Sequence, residues 1–108
     1  MPTKLPEPIA AYFAATNAHD PDGMLAPFAA AAVVKDEGRT MRGRAAVGGW
    51  IKGTVEKYRH TVEVLGVEKK GARTIVTARV AGNFPGSPIE LRYELMLSGG
   101  KISRLETR

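Results

Sequence analysis

A chain of 108 residues, 44% of them hydrophobic, is the size of one small globular domain, and a single domain over residues 1–108 is expected. The absence of cysteine excludes disulfides, thiolate metal sites and a cysteine nucleophile, and the two histidines lack the spacing of a metal-binding pair. The formal net charge of +5 is spread over scattered Lys and Arg residues with acidic ones between them. Without an aromatic and basic stacking platform, that pattern points to a solvated surface and not to nucleic acid. No basic start followed by an apolar run reads as a secretion signal, and no apolar stretch reaches membrane-spanning length. A cytoplasmic protein without a membrane partner is the expectation.

Leu5, Ile9, Tyr12, Phe13 and Thr16 recur at helical spacing and predict a first helix that begins near Pro6 and Pro8. It should end around Ala18 or His19. Asp20 then reads as an N-cap before Pro21, opening a second helix with Met24, Leu25 and Phe28 on its apolar face. Pro27 falls inside that helix, so it must be short or kinked, and the run Ala29 to Ala32 could extend either neighbour. Val33 to Asp36 reads as a strand with Val34 and Asp36 on one face. Glu37-Gly38 turns the chain into a short return strand near Thr40 to Arg42. A third helix after Gly43 should turn Val47, Ile51 and Val55 inward with Trp50 beside them. Gly48, Gly49 and Gly53 each weaken it by roughly 1 kcal/mol against alanine and suggest close packing on the sheet.

Four antiparallel strands complete the pattern: Tyr58 to Glu68, Thr74 to Phe84, Ile89 to Leu97 and Lys101 to Thr107. Lys70-Gly71, the Pro85-Gly86-Ser87-Pro88 segment and Ser98-Gly99-Gly100 connect them. Val76, Ala78, Val80 and Gly82 share one face, as do Leu91, Tyr93, Leu95 and Leu97. Glu63, Arg79, Arg92 and Glu94 fall on the opposite face. The order predicts an α+β fold, a cone-shaped curved sheet, antiparallel or mixed, closed by three helices from the first half of the chain. Such a cone commonly holds a cavity for a small molecule. So small a domain also gains by burying Ile75 and Thr77 against a second copy, and a homodimer through the outer sheet face is expected.

The segment from Ile9 through Tyr12 and Asp20-Pro-Asp-Gly23 to Val33-Val-Lys-Asp36 resembles the opening of the nuclear-transport-factor-two-like superfamily. Gly82-Asn-Phe-Pro-Gly86-Ser-Pro88 and Gly100-Lys-Ile102 with Leu105 resemble its closing strands. The likeness covers essentially the whole chain and is greatest to small SnoaL-like bacterial proteins. It implies the cystatin-like α+β roll. The superfamily hosts isomerases, cyclases, hydrolases and non-catalytic binding modules. Tyr12 and Asp36 are spaced as the catalytic tyrosine and aspartate of ketosteroid isomerase are. In that enzyme an aspartate base works with an oxyanion hole made of a tyrosine and a protonated aspartate. Here no acid falls on the inner face of the third long strand; Tyr93 is nearest, or Arg92 if the strand slips by one residue. The acid–arginine–acid set of limonene epoxide hydrolase is not assembled either.

Two functions stay open on this reading. One is a cofactor-free enzyme of ketosteroid-isomerase-like or polyketide-cyclase-like type, with Asp36 abstracting a proton next to a carbonyl and Tyr12 donating to the oxyanion. The other is a non-catalytic dimeric module that binds a small apolar or carbonyl-containing ligand. In that case Asp36 and Tyr12 only shape or polarise the pocket; as plain structural residues, Asp36 would start the turn or pair with Arg39 or Arg42, and Tyr12 would be a core aromatic. The expected pocket wall is Phe28, Val34, Trp50, Tyr58, His60, Val80, Tyr93 and Leu95. No Gly-x-Ser-x-Gly elbow and no phosphate loop are present, and neither metal nor cofactor is expected.

Overall fold

The computed structural model describes residues 5–107. Three helices and six strands follow in the order α1 (Glu7–Asn17), α2 (Pro21–Leu25), β1 (Phe28–Asp36), β2 (Arg39–Arg42), α3 (Gly43–Tyr58), β3 (Thr61–Lys70), β4 (Arg73–Ala81), β5 (Ile89–Ser98) and β6 (Lys101–Thr107). The strands form one unclosed sheet in the order β2-β1-β6-β5-β4-β3. All neighbours are antiparallel except β1 and β6, so the sheet is mixed.

Local chemistry explains the element boundaries. Asp20 caps α2 by accepting from the Gly23 N–H at 3.2 Å, with Pro21 at the first helical position. The helix stops at Leu25, before Pro27, and does not include Phe28 as the sequence suggested. Phe28 instead opens β1, and the alanine run belongs to that strand. Alanine favours helix, but Pro27 breaks the helix and the Pro27 carbonyl accepts from the Ile102 N–H at 2.8 Å, committing the segment to β6. Arg44 fastens α3 over this point by donating to the Phe28 carbonyl at 2.6 Å. Glu37 and Gly38, both at positive φ, make the two-residue turn between β1 and β2.

Tyr58 closes α3 and does not begin a strand. The helix runs to the left-handed cap Arg59, and β3 starts only at Thr61. β3 is an edge, and the Asn17 side chain satisfies it at Val62, accepting from the N–H at 2.6 Å and donating to the carbonyl at 3.0 Å. β4 ends at Ala81, short of Phe84, because the chain turns there. Gly82 lies so close to α3 that a Cβ would stand 2.7 Å from the Tyr58 carbonyl oxygen.

Register shifts bend the sheet in β1 between Phe28 and Val33, in β3 between Val64 and Gly66, and in β6 opposite Met96 and Leu97. α1 and α3 pack on the inside of the bend. Ile9, Met24, Val34, Ile51, Leu95, Ile102 and Leu105 are fully buried between helices and sheet. Tyr12 stacks edge-on to Phe28 at 5.5 Å, and Phe13 edge-on to Tyr93 at 5.1 Å, joining α1 to both halves of the sheet. On the outer face, Arg73 pairs with Glu94 at 3.0 Å and Arg79 with Glu63 at 3.5 Å. Ile75, on the same side, is only 6% exposed within one chain.

Candidate functional site

Asp36 ends β1 at the open end of the bend. Strand alternation turns it to the same side as Val34, and the parallel neighbour β6 finishes beside it at Thr107. Both carboxylate oxygens are engaged. The Trp50 indole on α3 donates to Oδ2 at 3.0 Å, and the Thr107 hydroxyl donates to Oδ1. A carboxylate has about four lone-pair positions, so each oxygen retains one for a further partner.

A cavity of about 540 Å³ opens next to this carboxylate. Its volume lies within the usual range for small-molecule sites. Of the ten site residues expected from sequence, seven border it: Tyr12, Asp36, Trp50, Tyr58, His60, Val80 and Tyr93. Phe28, Val34 and Leu95 do not. They sit behind the wall, exposed by 1% or less, with Tyr12 packed edge-on against Phe28. Strand parity turns Val34 and Leu95 inward as expected, but depth along the strand decides which inward residue meets open space and which meets the helices.

Tyr12 reaches the cavity from the buried stripe of α1. Burial, then the neighbouring Tyr93 and the Asp36 charge, push its phenol well above the ordinary range. Tyr93 on β5 is raised in the same sense by burial and by Asp36. Two neutral phenols therefore stand with the Asp36 carboxylate around a largely apolar space, which Glu37 also borders. The β5 strand does not slip: Tyr93 is inward and Arg92 lies exposed. No acid occupies the third oxyanion position.

His60 follows the helix cap. Its carbonyl accepts from His19 Nε2 at 3.0 Å, while Arg59 donates to His19 Nδ1 at 3.2 Å. Burial, then His19, lower the His60 imidazole below its ordinary value, against the opposing pull of Asp36. Its Nδ1 is buried with no hydrogen-bond partner among the described residues.

Sequence reasoning missed several wall residues. Thr107 was overlooked as a donor, although Ile102 and Leu105, three apart and both inward, mark a bulge in β6 that brings Thr107 into line with Tyr93. Thr54 and Lys57 come from α3; Asn83, Phe84 and Pro85 come from the loop after β4. Loop positions carry no periodic signal. Among the described residues, no group of three or more His, Asp or Glu side chains could hold a metal ion, and no helix is long and apolar enough to cross a membrane.

The fold has known counterparts. A Sinorhizobium meliloti protein assigned provisionally to the polyketide cyclases superposes with a TM-score of 0.91 and 36% identity over 96% of this chain and 95% of its own. A Catenulispora acidiphila protein of ketosteroid isomerase-like fold, solved with trimethylamine, superposes at 0.84 with 24% identity over 97% of this chain and 86% of its own. The epoxide hydrolase/cyclase-like enzyme SalBIII, of pyran ring formation in salinomycin, superposes at 0.81 with 22% identity over 94% and 86%. No curated protein matches the chain. The family model for the SnoaL-like domain matches residues 9–105, and the chain belongs to that family.

Proposed function

We propose that this protein binds a small carbonyl-containing molecule in the cavity and catalyses proton abstraction next to the carbonyl, as an isomerase or a cyclase would. Asp36 takes the proton on a free lone pair, the electrons move onto the carbonyl oxygen, and the Tyr12 phenol donates to that oxygen. The bound proton then returns to another carbon, or the enolate carbon attacks a second carbonyl, whose π electrons move to its oxygen and take the proton back from Asp36. The observation that carries this reading is the meeting of the Asp36 carboxylate with the buried, neutral phenols of Tyr12 and Tyr93 in a single cavity. The cyclase assigned at 36% identity supports the same class.

A second reading, a non-catalytic binding module, is favoured by the two donors already on Asp36, since they occupy one lone pair on each oxygen and tie the side chain to α3 and β6. Trp50 is the single tryptophan and borders the cavity, so its fluorescence reports occupancy. Titrating ketones and phenols against Trp50 emission, then following turnover of the compounds that bind, separates the two. Binding with Asp36-dependent turnover supports the enzyme; binding without turnover supports the module. Light scattering on the same samples tests the expected dimer through the outer sheet face.

A further inference from the structure

A second hollow, of about 550 Å³, lies between the β1–β2 turn and the outward side of α3. It meets the first cavity along a common wall of Asp36, Glu37, Trp50, Thr54, Lys57 and Tyr58. Its floor is α3 itself, at Ala46, Gly49 and Gly53. A Cβ built on Gly49 or Gly53 meets nothing within 4 Å, and neither residue has positive φ. Packing does not require these two glycines, contrary to the expectation from sequence. Gly48 is different, since a Cβ there would lie 3.2 Å from Leu25 Cδ2. Glycine in mid-helix weakens the helix, and what Gly49 and Gly53 leave in return is clear space above the backbone.

The hollow also carries two cations, Arg39 and Lys57, without an ion-pair partner among the described carboxylates. The Lys57 ammonium sits 5.2 Å from the Tyr58 ring centroid. Asp36 and Glu37 border it as well, so two cations and two carboxylates share its wall, with one lone pair on each Asp36 oxygen taken by Trp50 and Thr107.

We propose that the substrate has two linked parts: a carbonyl-bearing part beside Asp36 and Tyr12, and a slender extension ending in an anionic group. The extension crosses Trp50, lies over Gly49 and Gly53, and brings its negative end to Arg39 and Lys57. This rests on the reading of the first cavity given above.

Calorimetric titration with beta-naphthol, with its butanoate-bearing derivative and with the methyl ester of that derivative tests it. The wild-type protein should bind the butanoate about tenfold more tightly than the naphthol, a difference of about 1.4 kcal/mol. Gly49→Leu and Gly53→Leu should abolish that advantage while leaving naphthol affinity within about twofold. Arg39→Gln should remove the preference for the acid over its ester. Gly49→Ala and Gly53→Ala should each raise the melting temperature by several degrees, as expected where glycine serves no structural need. Equal wild-type affinity for naphthol and butanoate, or an equal loss of both in the leucine variants, would overturn the two-part substrate alone. Failure of the wild-type protein to bind the naphthol would overturn the reading of the first cavity, and this proposal with it.

Discussion

The Trp50 indole donates to Asp36 across the seam between α3 and the end of β1, at 3.0 Å. With Thr107 on the other oxygen, three elements converge on one carboxylate. The side chain is therefore held in a fixed orientation before any ligand arrives.

Removing either donor should cost stability and misplace the carboxylate. Trp50→Phe keeps the ring and deletes the N–H; Thr107→Val keeps the shape and deletes the O–H. A hydrogen bond to a charged group contributes roughly 1.5–3 kcal/mol, and Asp36 is partly exposed, so about 1 kcal/mol is expected for each. Urea unfolding at neutral pH measures this, and an unchanged midpoint in both variants would count against the anchoring.

The phenols give an alkaline signature. Tyr12 and Tyr93 hold their protons more tightly when folded than the ordinary phenol value of about 10. Below that value both folded and unfolded chains keep these protons, and the stability is fully present. Above it the unfolded chain releases them first, so stability falls as pH rises. Tyr12→Phe should flatten the decline of melting temperature between about pH 9 and 11. An identical decline in the variant would contradict the burial of that phenol.

His60 gives the opposite signature. Its folded value lies below the ordinary 6.5, so in acid the unfolded chain binds a proton that the folded chain resists. Stability is intact above about pH 6.5 and falls as pH drops below it. His60→Gln should be less sensitive than wild type to acidification from pH 7 to 5, and a parallel loss in both would exclude this residue as a source.

Gly82 should tolerate no side chain. A Cβ would press on the Tyr58 carbonyl, which already accepts from the Asn83 N–H at 2.7 Å. Gly82→Ala is expected to destabilise by about 1–3 kcal/mol. Thermal unfolding at wild-type temperature would show that the two segments can part without cost.

The fold was largely readable because its determinants are local and periodic. The α1 stripe from Ile9 to Thr16, the Asp20-Pro21 cap and the alternation of Leu91 to Leu97 each specify their element directly. Phe28 was misplaced because helical spacing after Pro21 continued past Pro27, while the pairing that makes it a strand comes from β6, far along the chain. Asp36 and Tyr12 could be singled out from spacing and resemblance. Thr107 and Lys57 could not, since their approach to the cavity depends on a bulge and on where α3 ends.

The central claim is that Asp36 removes a proton next to a carbonyl. Asp36→Asn is a clean test because its amide oxygen can still accept from Trp50 while its NH₂ group donates to the Thr107 hydroxyl, which can accept as well as donate. The direct measurement is exchange of the activated hydrogens of beta-tetralone for deuterium in heavy water, followed by proton NMR. Wild type should accelerate exchange, and Asp36→Asn should lower the enzymic rate by about 10²-fold or more. Tyr12→Phe should lower it by about 10² to 10³. Exchange at the wild-type rate in Asp36→Asn, with the ketone demonstrably bound, would contradict the account.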